Sequence, residues 1–484
     1  MRRGAWLVLL LLLAMQCARA DTIVLKNGGR ISATNVTVEG DRVYYETASG
    51  RSSVAKSEVE RIELGDSSGP SASAPANLPL LMPRVDLGGG RADVARAAVH
   101  DGAVDDVYLA RLEDETRNGG AAAVSRLATA YDAGALFEFN RGDIEHALYL
   151  LRRGLTFAPE HLSLLLNLSR LQLRRGEYTA ALDSLVRAEQ VAPDDPDTAV
   201  LLGWAYRRTN RLDRTVEEWK RALSLRPDPR LEGSLANAER DLEEERSYRA
   251  EESSHFALRY SGSATALFLP GEVLRALESH FRDLQTELNF TPPESIAVIL
   301  YTDKAFADIT NAPNWAGALN DGRIRVPVHG LTAVDDRLSR VLRHELTHSF
   351  IFQKTGGLCP TWLNEGLAQW MEGKRSEKFA ATLAKAIESA QVRAQSAGQT
   401  SVAPGWLEGS WTGRSADEAT VLYSLSLAMV EYIIRTNGMA DIGRLLDTIT
   451  AGPSTEAALR SVLQMDYSGL EKETARYLRR TYAQ

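Results

Sequence analysis

Cysteine is scarce in this chain: two residues in 484, Cys17 and Cys359. Cys17 falls inside an apolar leader, so the processed chain keeps Cys359 alone and an intramolecular disulfide is excluded. An exported protein of this size without disulfides fits a bacterial periplasm better than a eukaryotic secretory route. Cys359 itself reads as a small buried residue. Positive charge is also in deficit, with 56 Lys and Arg against 64 Asp and Glu and a formal net charge of −8. That balance speaks against nucleic acid or an anionic membrane as a partner. Beyond the leader no apolar run approaches the roughly 20 residues a membrane span needs. Histidine stops early: none follows His348.

The start of the chain reads as a secretory signal. Arg2 and Arg3 precede an apolar run from Trp6 to Met15, and Ala18-Arg19-Ala20 supplies a small-x-small cleavage site. Gln16 immediately before Cys17 is a poor residue for lipoprotein processing. Removal of residues 1–20 takes away Arg2, Arg3 and Arg19 and moves the charge from −8 to −11. The expected location is exported, periplasmic or secreted.

Composition then divides the remainder. Residues 21–65 carry short β runs (Thr22-Ile23-Val24-Leu25, Val43-Tyr44-Tyr45) between Gly-containing turns, the pattern of a small all-β module. Residues 66–90 are rich in Ser, Ala, Pro and Gly and form a linker. Residues 91–250 contain a repeat. Pro159, Pro193 and Pro227 recur every 34 residues, as do Gly142, Gly176 and Asn210, and Leu151, Leu185 and Trp219. The period predicts three helix pairs over about 128–229, a polar capping helix over 230–250, and helical structure from Arg91 to Asn118.

Residues 251–484 hold the chemistry. His344-Glu345-Leu346-Thr347-His348 lies in a stretch, 334–352, whose apolar residues recur at helical spacing. The two histidines therefore stand one turn apart on one helix face, where both imidazoles can reach one ion. A catalytic zinc takes three protein ligands and keeps a fourth position for water. The third ligand must be a carboxylate or Cys359, because no histidine remains. Glu365, in Trp362-Leu363-Asn364-Glu365-Gly366-Leu367-Ala368, is the best placed. A second helix over 360–371 can return beside the first through Gly356-Gly357. Glu345 is then free to act as general base toward the zinc-bound water. Ile351 and Lys354 stand where the metzincin pattern requires Gly and His, which excludes that class.

With these residues in place, the stretch 251–484 resembles a gluzincin metallopeptidase of the thermolysin and M1-aminopeptidase type, most nearly the peptidase MA-like domain. The resemblance implies an α+β catalytic domain, Zn2+ held by His344, His348 and Glu365, Glu345 as the base, and a peptide or protein substrate. It also implies a role for Tyr423, which lies 58 residues after Glu365 in an apolar helix over 421–434. A tyrosine at about that interval helps bind the oxyanion in M1-like members. The substrate-binding G-x-M-E-N box of those enzymes aligns with Gly317-Ala318-Leu319-Asn320-Asp321, with Asn320 in place of the glutamate that binds a free amine. Residues 323–328 alternate polar and apolar side chains and end near Pro327, as an edge strand can, and such an edge could hold an extended peptide. Elsewhere the β module is similar to an SH3-like barrel, and the 34-residue period is that of tetratricopeptide repeats, whose stacked surface commonly binds proteins.

The expected architecture is multidomain: an SH3-like module, a tetratricopeptide solenoid and a thermolysin-like domain. Two functions fit it, an exported zinc peptidase with a recruitment surface, or an interaction scaffold that retains an inactive gluzincin-like domain. Retention of Glu345, with no obvious fourth ligand to close the site, favours the enzyme.

Overall fold

The computed structural model describes residues 21–25, 30–39, 42–47, 50–63, 91–117, 119–263, 265–302, 304–306, 319–320, 322–328, 330–396, 407–409, 411, 416–451 and 454–482. The leader, the 66–90 linker, Gly317 and Ala318 lie outside the described residues. The chain separates into two bodies, Met1–Pro70 with Trp411–Leu422, and Ser71–Ser410 with Tyr423–Gln484.

The first body contains a five-stranded sheet of β1 (Asp21–Leu25), β2 (Arg30–Glu39), β3 (Arg42–Thr47), β4 (Gly50–Ala55) and β5 (Val59–Glu63), in the order β4-β3-β2-β1-β5. Every pairing in it is antiparallel.

The second body begins with α1 (Arg91–Ala98), a tight hairpin of β6 (Val99–His100) and β7 (Ala103–Val104), and α2 (Asp106–Thr116). Three helix pairs follow: α3 (Gly120–Arg141) with α4 (Ile144–Phe157), α5 (Leu162–Arg174) with α6 (Tyr178–Val191), and α7 (Pro196–Arg208) with α8 (Leu212–Leu225). The marks of the 34-residue period have distinct physical jobs. Gly142, Gly176 and Asn210 close the first helix of each pair with φ of 88°, 75° and 58°, the left-handed conformation that ends a helix and turns the chain. Pro159, Pro193 and Pro227 each stand two residues past the second helix, where a ring that cannot continue the helix costs nothing. The first pair starts at Gly120, earlier than the repeat pattern places it.

In the helix that ends this solenoid, α9 (Pro229–Glu245), Glu232, Glu239 and Glu243 are exposed, as a polar cap requires, but two carboxylates are not. Asp241 and Glu245 are buried against the sheet of the next segment. That sheet comprises β8 (Arg249–Glu252), β9 (Phe256–Tyr260), β10 (Ile296–Tyr301), β11 (Leu319–Asn320) and β12 (Ile324–Pro327), ordered β11-β12-β10-β9-β8. β10 runs parallel to β9 and β12, while β8 and β11 close the two sides antiparallel. Residues 324–327, expected at an edge, therefore lie one place inside it. Arg323 and Arg325 are buried at 1% and 2% exposure and were the source of the misleading alternation. Arg325 donates to both carboxylate oxygens of Asp241 at 2.8 and 2.7 Å and to the Tyr301 hydroxyl at 2.8 Å. Arg323 donates to Glu245 at 2.6 Å and to Asn210 of the solenoid turn at 2.7 Å. Burial alone would raise the Asp241 carboxyl, but the charge of Arg325 in particular, with Arg207 and Arg323, outweighs it and holds it below the usual range.

The remaining helices are α10 (Leu269–Leu288), α11 (Asp336–Thr355), α12 (Thr361–Met371), α13 (Ala380–Ser396), α14 (Ala416–Asn437), α15 (Met439–Thr450), α16 (Thr455–Leu463) and α17 (Tyr467–Tyr482). The solenoid also meets α11 directly, with the Arg208 guanidinium 4.9 Å from the centre of the Phe352 ring. Among the described residues no helix is long and apolar enough to cross a membrane.

Candidate metal centre

Helix α11 starts at Asp335, whose side chain accepts from the Leu338 amide at 2.7 Å. It ends at Gly356 and Gly357, with φ of 59° and 77°, so the chain reverses sharply into α12. The reversal lays Glu365 of α12 against His344 and His348 of α11. Their Nε2 atoms are 3.2 Å apart, and Glu365 Oε2 lies 3.9 Å from the first and 3.8 Å from the second. Two ligand atoms at tetrahedral positions on one zinc stand about 3.4 Å apart, so the triad has the dimensions of a zinc site.

The outer nitrogens fix the tautomers. His344 Nδ1 lies 3.1 Å from Glu372 Oε2, and His348 Nδ1 lies 3.0 Å from Asn364 Oδ1. With a carboxylate oxygen and an amide oxygen as the facing atoms, both Nδ1 atoms carry hydrogen and both Nε2 atoms present lone pairs. Two lone pairs and a carboxylate oxygen then face one another in a buried pocket, an arrangement that a bound cation relieves. The local charge points the same way. Burial lowers the His344 pKa, but the Glu372 hydrogen bond and the charges of Glu345 and Glu365 more than offset this and hold it above its ordinary value.

Glu345 is buried, and its Oε2 has no hydrogen-bond partner among the described residues. Burial pushes its pKa up, against the opposing pull of His344 and His348. Cys359, the other candidate ligand, stays out of the cluster. Burial drives its thiol pKa up, so it remains protonated.

Tyr423 is half-buried on α14. Its phenol pKa is raised by burial first and then by the charges of Glu365 and Glu345. The two helices approach because residue 366 is glycine. A Cβ there would lie 2.4 Å from the Ser426 carbonyl oxygen and 2.7 Å from Val430 Cγ2. Gln369 fastens the contact, donating to the carbonyls of Glu365 at 3.2 Å and Tyr423 at 3.0 Å.

Of the four residues expected to bind substrate, Leu319 and Asn320 form the edge strand β11. Asn320 is buried, and its amide bonds to α11. Two functional groups escaped the sequence reading, Glu372 and Asn364. Glu372 follows Glu365 by two helical turns and Asn364 immediately precedes it, so the spacing around Glu365 carried a usable signal.

The Peptidase MA superfamily sequence model matches residues 285–480, the stretch containing α11, α12 and α14, and this supports a gluzincin-like peptidase domain there. No curated protein matches the chain. Among solved structures, a point mutant of MamA aligns at 19% identity and MamA MSR-1 C2 at 18%, covering 29% and 28% of this chain and 90% and 88% of those chains. The TM-score is 0.23 in both cases, a likeness too slight to carry any argument.

Proposed function

We propose that the protein is an exported zinc-dependent peptidase. Three ligand atoms within 3.9 Å of one another, beside a Glu345 carboxylate oxygen with no hydrogen-bond partner among the described residues, are the observation that carries this reading. His344, His348 and Glu365 would hold Zn2+, with Glu372 and Asn364 orienting the imidazoles. Zinc in such a set supplies Lewis-acid polarisation of a carbonyl and a more acidic water.

The chain's own groups do the rest. Glu345 takes a proton from the attacking water as the new carbon–oxygen bond forms, then delivers it to the amide nitrogen as the carbon–nitrogen bond breaks. Tyr423, kept protonated by its surroundings, donates to the carbonyl oxygen as negative charge develops. The edge strand β11, with the preceding Gly317 and Ala318, would receive the substrate in extended form by strand addition. The leader directs export, the amino-terminal sheet is an SH3-like module, and the solenoid, of tetratricopeptide type, recruits protein partners.

The reading is tested by comparing His344→Ala and Tyr423→Phe. The first should lose zinc. The second should retain it while kcat on a cleaved peptide falls about 100-fold, the size of one lost oxyanion donor. Zinc retained at wild-type strength in His344→Ala would remove the proposed centre.

A further inference from the structure

Asn320 does something its place in the substrate strand does not require. Its Nδ2 donates to the backbone carbonyl of Glu345 and to Ser349 Oγ, each at 2.7 Å, while its Oδ1 accepts from the Gly322 amide at 2.9 Å. The Glu345 carbonyl can only accept and the Gly322 amide can only donate, so the amide has one possible orientation. Both donors are thereby committed to α11. They grip the turn that carries Glu345, with His344 and His348 on either side. The side chain is 7% exposed, so water does not compete well for these bonds.

The strand bearing Asn320 is only two residues long and depends on β12, with Asn320 opposite Ile324 and Leu319 opposite Arg325. β12 in turn is anchored to the solenoid. Arg325 and Arg323 end on Asp241 and Glu245 of α9, and Tyr301 donates to Glu245 at 2.8 Å. A continuous chain of hydrogen bonds and strand pairing therefore runs from the last solenoid helix to the backbone of the proposed base.

We propose that Asn320 is the positioning residue of Glu345, and that Asp241 and Glu245 of the solenoid hold the strand pair that carries it. The catalytic meaning rests on the peptidase reading; the positioning is a property of the protein with or without zinc. On this account the repeat segment is part of the scaffold that shapes the active site, in addition to any surface it offers to partners.

The test uses the full chain and three variants: Asn320→Asp, which keeps size and the acceptor for Gly322 but removes both donors; Asn320→Leu; and Asp241→Asn. Amide hydrogen exchange is followed over residues 342–352, with residues 273–284 of α10 as the internal reference. Zinc content, kcat and KM are measured in parallel. The expected result is exchange about tenfold faster in 342–352 and unchanged in α10, with zinc still bound. Where the wild type cleaves a peptide, kcat should fall on the order of 10–100-fold with KM little altered. Asp241→Asn should change the same segment in the same direction.

Unchanged exchange in Asn320→Asp overturns the proposal, as does acceleration throughout α10 in that variant, which would mean general destabilisation. A raised KM at constant kcat overturns it in favour of a substrate contact. If Asn320→Leu does not fold, Asn320→Asp decides. If the wild type cleaves nothing, the peptidase reading fails while the exchange result still judges the positioning.

Discussion

Gly366→Ala is a small substitution in which two effects of opposite sign compete. In an exposed helix interior, alanine would stabilise by roughly 1 kcal/mol relative to glycine. At this position the new Cβ would meet the Ser426 carbonyl oxygen at 2.4 Å and its carbon at 2.7 Å. Ordinary contact begins at roughly 3.5 Å, so α12 and α14 must part by about 1 Å. The obstacle is backbone, which cannot swing aside as a flexible side chain would. Overpacking of this kind costs about 1–3 kcal/mol, so the net effect should be destabilising by up to roughly 2 kcal/mol. For a body of this size, that lowers Tm by up to roughly 2 °C. Calorimetry of the zinc-loaded and chelated protein measures the cost, and a zinc titration locates it. If α12 yields, Glu365 moves off the histidines and affinity falls; if α14 yields, only Tyr423 moves. A Tm that rises by the amount propensity alone supplies would refute the close approach as the reason for glycine.

Two further outcomes concern the shells around the site. Asn364→Ala and Glu372→Ala should each weaken zinc binding about 10–100-fold in a chelator competition, since they release one imidazole each from its fixed orientation; wild-type affinity in both would contradict their assignment as orienting groups. The Asp241 network predicts a pH effect. A carboxyl depressed by folding adds stability that is present above its unfolded pKa and lost as pH falls through its lower folded value. Acid melting of the wild type below about pH 4 should therefore be steeper than that of Asp241→Asn. At neutral pH the variant should be less stable by about 3–5 kcal/mol, because buried arginines lose their partner. Parallel acid limbs would show that the network contributes nothing through Asp241.

What could be read from the sequence was whatever rests on local geometry. The 34-residue period marked three turns, and at each the structure has the left-handed backbone that Gly142, Gly176 and Asn210 permit. His344 and His348 share a helix face because four residues make about one turn, and Gly356-Gly357 reverses the chain between α11 and α12. The failures were at residues whose meaning depends on distant partners. Arg323 and Arg325 looked like the wet face of an edge strand, yet both are buried because Asp241 and Glu245, some 80 residues earlier, receive them. Asp241 and Glu245 looked like part of a polar cap for the same reason. Asn320 resembled part of a substrate box, and nothing local signals that its amide turns toward the Glu345 carbonyl.

The central claim is tested most directly by zinc content and peptide cleavage in the wild type and in Glu345→Gln. The account predicts about one zinc bound to each and cleavage by the wild type alone, since the substitution removes the proton carrier and leaves the three ligands intact. Zinc in both with cleavage in neither, across a mixed peptide library, would contradict the account and favour a non-catalytic scaffold.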